Sequence, residues 1–174
     1  RDWEKELHQA MEAGCKGLKI HPILQRIPPE DPFYFDLMEA FTPYGRPVEI
    51  HSGEFSFYIT EDGYSCYGDA RRLEKLIAAF PGIPFIMVHM GLYYPERAIE
   101  LARRYDNVYL ETSFQPVRVV REAVRVAGRE RVMFGSDWPE SNQKYALSII
   151  RKVAGEDNDL KERLTGGNIL ALLS

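Results

Sequence analysis

Three of the four histidines, His21, His51 and His89, each close a short run of β-forming residues, and Asp137 closes another. The runs are Gly17-Leu18-Lys19-Ile20-His21, Pro47-Val48-Glu49-Ile50-His51, Pro84-Phe85-Ile86-Met87-Val88-His89, Val108-Tyr109-Leu110-Glu111-Thr112-Ser113 and Val132-Met133-Phe134-Gly135-Ser136-Asp137. Side chains alternate along a strand, so one face can be read from the polar positions. That reading joins Lys19 to His21, Glu49 to His51, His89 to Met87 and Phe85, Glu111 to Ser113, and Asp137 to Gly135 and Met133. Ionisable groups are costly to bury unless they are paired or bind a metal. Five strands ending this way point to a site rather than to stability. Imidazole and carboxylate are ligand types that suit zinc, manganese or iron. Taken singly, the residues have plainer readings. His8, on the N-terminal helix, is a solvated surface residue. Lys19 pairs equally well with Glu49 on the next strand, and Glu111 and Ser113 serve equally well as polar filling.

The elements between these runs read as helices. Trp3, Leu7, Ala10 and Met11 follow helical spacing, with Gly14 as C-cap. A second helix spans Phe33 to Tyr44, and Asp69 caps a third that reaches Phe80. Pro95 and Pro116 each open a helix. Helices follow over Gln143 to Ala154 and Asp159 to Leu164, and a short apolar helix with Asn168 near its start closes the chain. Strands alternating with helices imply parallel strands and helical crossovers, an α/β fold. A barrel gathers its chemistry at the C-terminal mouth, which explains polar residues at every strand end better than an open doubly wound sheet does. The long segment from Ser52 to Gly68 carries Phe55, Phe57, Tyr58, Tyr64 and Tyr67 and reads as a lid or binding loop.

Composition narrows the function. With 45% hydrophobic and 28% charged residues, the 174-residue chain can bury a core. A net charge of −4 without a basic patch argues against nucleic acid as a partner. Apolar runs such as Ile83 to Val88 are too short to span a bilayer, and no signal peptide opens the chain. Two cysteines, Cys15 and Cys66, make no disulfide framework, which fits the cytoplasm. A small-molecule substrate is expected, and a homo-oligomer is left open.

Ile50-His51-Ser52-Gly53, Val88-His89-Met90-Gly91, Gly135-Ser136-Asp137-Trp138-Pro139 and Gly167-Asn168-Ile169-Leu170 resemble the successive motifs of the amidohydrolase superfamily. The similarity is nearest to the amidohydrolase-related branch of hydrolases and nonoxidative decarboxylases, whose fourth-strand segment resembles Gly17-Leu18-Lys19-Ile20-His21-Pro22. It runs from about Gly14 to Leu173. The resemblance implies a partial (β/α)8 TIM barrel holding strands four to eight. It implies His51 and Asp137 as metal ligands, and His89 as the group that orients or polarises the substrate. Lys19 departs from the binuclear pattern, because His21 lies nearer the strand end, and so one metal is expected, zinc first with manganese or iron as alternatives. His21, Lys19, Glu54 and Trp138 are expected around the substrate.

The strand-one His-x-His pair of that family does not occur in this sequence. Residues 1–174 are therefore expected to be the C-terminal portion of one barrel domain, without strands one to three. Metal binding by this portion alone is expected to be weak, because a catalytic metal keeps at least three protein ligands. In the complete protein the reading is a metal-dependent hydrolase of an amide, ester or lactone. A metal-bound water would attack while Asp137 carries the proton and His89 polarises the carbonyl. A nonoxidative decarboxylase or hydratase on the same site is the alternative, and a catalytically inactive binding subunit is a third.

Overall fold

The computed structural model describes residues 2–54 and 63–174. Phe55, Phe57 and Tyr58, expected in the binding loop, lie outside the described residues. Five parallel strands pair in sequence order: β1 (Leu18–Ile20), β2 (Val48–Gly53), β3 (Phe85–Gly91), β4 (Val108–Glu111) and β5 (Val132–Met133). Sequential parallel order with a helix in each connection is the winding of a (β/α)8 barrel, and this chain forms an arc of one.

The pairing register separates the two faces. Val48 stands beside Leu18 and Phe85, and Ile50 beside Ile20 and Met87. Phe85 continues to Val108, Met87 to Leu110, and Leu110 to Val132. Apart from Leu18, these side chains are almost fully buried and form one core with the helices. Each large apolar side chain so buried contributes roughly 1.5–3 kcal/mol. The other face carries Lys19 beside Glu49, then Ile86 and Tyr109, and farther along His51 beside Val88 and Glu111 beside Met133. This is the inward face of the arc.

Two expectations about faces are corrected here. Met87 and Phe85 point toward the helices, so His89 does not share a face with them. The fifth strand ends at Met133, four residues before Asp137, because Phe134 N–H turns away to donate to Leu164 O at 2.8 Å.

The helices form where capping residues and apolar spacing coincide. Helix α1 (Trp3–Glu12) starts at Asp2, whose carboxylate accepts from Lys5 N–H. A single turn, α2 (Pro22–Gln25), follows β1 and was not anticipated; His21 is its N-cap. Helix α3 (Pro32–Phe41) is capped by Asp31 and tightens to a 3-10 turn over Thr42–Tyr44. Asp69 caps a 3-10 turn, Ala70–Leu73, rather than a continuous helix, and α4 (Glu74–Ala79) follows. The crossovers α5 (Pro95–Arg104) and α6 (Val117–Ala127) carry proline at or just before their first turn. After β5 come α7 (Gln143–Ala154), capped by Asn142, then α8 (Asn158–Glu162), a π turn over Arg163–Gly167, and α9 (Asn168–Leu173).

Two features tie these pieces to the sheet. The Asn168 amide donates to Arg129 O at 2.7 Å and Val132 O at 2.6 Å, which fastens α9 to the start of β5. Gly68 returns the chain against Gly53: a Cβ on Gly68 would stand 2.0 Å from Gly53 O. The end of β2 and the end of the 3-10 turn Tyr64–Gly68 are therefore in direct contact. No helix among the described residues is long and apolar enough to cross a membrane.

Candidate active site

The C-terminal ends of β1, β2 and β3 bring three imidazoles together. The His21 and His51 rings stack at 3.9 Å with 7° between planes, and His89 meets His51 edge-on at 5.0 Å. His21 Nδ1 accepts Leu24 N–H at 3.3 Å as the cap of α2, which leaves Nε2 as the protonated nitrogen. His51 Nε2 lies 3.2 Å from Gly53 O and must be the donor there, so Nδ1 is its basic nitrogen. His89 Nδ1 lies 2.5 Å from Ser113 Oγ.

Behind His89 stands a buried carboxylate. Glu111 is 7% exposed and accepts from three donors: His89 N–H at 2.9 Å, Ser113 N–H at 2.6 Å and Ser113 Oγ–H at 2.6 Å. Because the Ser113 hydroxyl gives its proton to Glu111, its lone pair receives Nδ1–H of His89. That chain assigns the Nδ1–H tautomer and leaves His89 Nε2 basic. Burial pushes the Glu111 carboxyl above its usual range, opposed by the hydrogen bonds from Ser113 and His89. Gly135 is required opposite it, since a Cβ there would stand 1.8 Å from Glu111 Oε1.

Burial is the main cause of low basicity in all three rings. His51 is pulled down to about 2, helped by the neighbouring His21 and His89. His21 and His89 each fall to about 4, helped by the positive charge of Lys19. Neutral imidazoles are the form that binds a cation or accepts a proton.

The backbone at this mouth is unusual. His89 (φ 66°), Met90 (φ 47°), Gly91 (φ 79°) and Leu92 (φ 53°) are consecutive left-handed residues. Phe114 (φ 62°) and Asp137 (φ 51°) add two more at the ends of the next strands. For non-glycine residues this conformation costs roughly 1–2 kcal/mol each. Such cost gathered at one place marks functional sites more often than accidents of packing. Ser52 supports the turn, donating from Oγ to Val88 O at 2.7 Å and accepting Gly91 N–H at 2.9 Å. The Gln115 amide donates to His89 O at 2.7 Å and Leu92 O at 2.9 Å.

The other expected residues distribute as follows. Lys19 Nζ lies 3.6 Å from Glu49 Oε2, with both side chains about half exposed on the inward face. Its positive charge lowers the basicity of His21 and His89, acts least on His51, and opposes the rise of the Asp137 carboxyl. Asp137 is exposed, and partial desolvation together with Glu140 raises its carboxyl against the pull of Lys19. Glu54 is held by Arg97 at 3.2 Å, and Arg97 also bridges to Asp69 at 3.2 Å and lies over the Tyr94 ring. Trp138 is 71% exposed; the aromatic ring packed against His89 is instead Phe114, at 5.4 Å.

Sequence reasoning missed Phe114 and Gln115, met Ser52 only within a motif, and for Glu111 weighed polar filling against substrate contact. The donor chemistry of the histidines and Asp137 suits a divalent cation. Among the described residues, however, no three His, Cys, Asp or Glu side chains converge closely enough to hold one.

The comparisons bear on the family and the fold. A family model described as Amidohydrolase matches residues 2–174. No curated protein matches the sequence. A 5-carboxyvanillate decarboxylase from Sphingomonas paucimobilis is 23% identical with a TM-score of 0.74, the alignment covering 98% of this chain and 62% of that one. A dihydroxybenzoic acid decarboxylase from a Polaromonas species, solved with manganese and 2-nitroresorcinol, is 18% identical with a TM-score of 0.75, covering 98% and 64%. A TIM-barrel protein from Bordetella bronchiseptica is 18% identical with a TM-score of 0.80, covering 97% and 60%. The chain thus spans about three-fifths of the length of these structures. On the match of its whole described length to the family model and on its strand order, the chain belongs to the amidohydrolase family and folds as part of a (β/α)8 barrel.

Proposed function

We propose that the complete protein is a metal-dependent nonoxidative decarboxylase of a small carboxylated substrate. The observation that carries this reading is the position of Lys19. A cation whose field reaches three neutral imidazoles and Asp137 is suited to receive an anionic substrate group. The decarboxylases named among similar structures, one of them with manganese, support the choice over the hydrolase reading, which uses the same residues. Residues 1–174 are, in this proposal, the C-terminal portion of one barrel domain, and the remaining ligands come from strands outside this chain. Free Cys15 and Cys66 suit a reducing compartment such as the cytoplasm.

In this proposal His51 and Asp137 hold a divalent ion, manganese or zinc, which would supply positive charge beside the substrate's oxygens. Lys19 receives the carboxylate. His89 is aimed by Ser113 and Glu111 and presents a basic Nε2 to a substrate hydroxyl, and Phe114 and Trp138 border the substrate. The Asp137 carboxyl delivers a proton to the carbon that bears the carboxylate. The bond to that carboxylate then breaks, carbon dioxide leaves, and Asp137 regains its proton from water. Hydrolysis would instead consume water and release no gas.

The deciding experiment follows carbon dioxide release and solvent deuterium incorporation by the complete protein with manganese, over a panel of hydroxylated aromatic acids. Deuterium at the vacated carbon is expected. Cleavage of esters or lactones without release of carbon dioxide from any acid would overturn the decarboxylase reading.

A further inference from the structure

We propose that Gln115 is a positioning residue that aims His89 by locking the left-handed exit of β3. Val88 faces inward beside His51, so the next residue of a regular strand would point toward the helices, with Phe85 and Met87. His89 does not, because the chain turns left-handed at His89 and stays so through Leu92. That turn carries the ring round to meet His51 at 5.0 Å and Ser113 at 2.5 Å. Only one of its four residues is glycine, so local preference does not maintain it. Leu92 N–H closes the turn on His89 O at 2.8 Å. The Gln115 amide, 4% exposed, then joins the first and last carbonyls of the turn. Ser52 grips the middle, through Gly91 N–H. Gln115 is anchored in turn by its own N–H to Thr112 O at 3.1 Å, so β4 sets the height of the clamp. Among the described residues its side chain bonds only to main-chain carbonyls, and its effect on chemistry passes through the direction of the His89 ring.

The consequence for turnover rests on the role proposed above for His89; the consequence for the ring does not. The test uses Q115M, which keeps side-chain length and removes both donors, in metal-free and metal-loaded protein labelled with 15N-histidine. Wild-type His89 is expected as a single Nδ1–H tautomer. In Q115M its ring resonances should shift to a tautomer mixture, while the circular dichroism spectrum is kept. The kcat for the panel acid that the wild type decarboxylates should fall about 100-fold, with KM within about threefold. A plain loss of stability would move the unfolding midpoint without changing the tautomer of the folded protein. Unchanged ring resonances in folded Q115M overturn the inference. Altered resonances in a protein whose wild type decarboxylates nothing would support the positioning role and remove the decarboxylase reading alone. Should Q115M not fold, Q115N and S52A are read by the same resonances, and wild-type signals in both overturn the inference.

Discussion

Substituting Glu111 by Gln tests the account of the buried carboxylate most directly. Both carboxylate oxygens accept from fixed main-chain donors, Oε1 from Ser113 N–H and Oε2 from His89 N–H. An amide offers only one oxygen. Whichever way the Gln side chain is turned, its NH2 group faces a buried main-chain N–H. If it faces His89, it also meets the Ser113 hydroxyl, which must reverse. One unsatisfied buried donor costs about 1–3 kcal/mol, and losing bonds to a charged acceptor adds roughly another 1 kcal/mol. We expect Glu111→Gln to lose roughly 2–4 kcal/mol, a large share of a typical domain's 5–15 kcal/mol. With urea m-values of about 1–3 kcal/mol/M, the midpoint should fall by about 1–2 M at unchanged m. Urea unfolding at pH 7.5, followed by far-ultraviolet circular dichroism, measures this. An unchanged midpoint would refute the reasoning, because it would mean that burial keeps the carboxyl protonated and that an amide imitates it.

Three other outcomes are expected. His89 has its pKa lowered to about 4, so the unfolded chain binds more protons between that value and 6.5. The stability it contributes is complete above pH 6.5 and is lost as pH falls toward 4, by about 2 kcal/mol between pH 7.5 and 5. Comparing metal-free wild type with His89→Gln across that range should show a shallower acid loss in the variant, and parallel curves would contradict the assignment. Asn168→Leu strands Arg129 O and Val132 O at once and should cost about 2–4 kcal/mol, read as a lower Tm by calorimetry; an unaltered Tm would deny the clamp on β5. Zinc or manganese titrated into the 174-residue chain should bind weakly, since no three donors converge among the described residues, and a stoichiometry near one at nanomolar affinity would contradict this.

Much of the architecture could be read from alternation and punctuation. Each of the five β-forming runs coincides with a strand, although β2 and β3 continue two residues past the expected ends, and Pro95, Pro116 and Asp69 open elements where expected. The pairing of Lys19 with Glu49 also follows from register alone. What failed was the extrapolation of period-two alternation past the strand ends. The alternation puts His89 on the face of Met87 because a left-handed φ at a non-glycine residue is only weakly signalled by residue type, and it carries β5 on to Asp137 because the Phe134 bond to Leu164 is a long-range contact. Gly91 was the only hint, and Leu92 and Met90 beside it argue against such a turn. For the same reason the roles of Ser52 and Gln115 were overlooked: their partners are main-chain groups of a turn that the sequence conceals.

The abutment of Gly68 on Gly53 bears on how this scaffold can diversify. Because the two glycines meet, the two ends of the stretch between them are held side by side at this seam, with Glu54 on Arg97 and Tyr64–Gly68 against α2 and Arg72. The length and composition of that stretch can change while the strands keep their register, since lengthening an already closed loop adds only a small entropic penalty that grows as a logarithm. A different stretch grafted across this seam would thus leave the barrel unaltered. A side chain at either glycine would wedge the seam apart and forfeit that modularity.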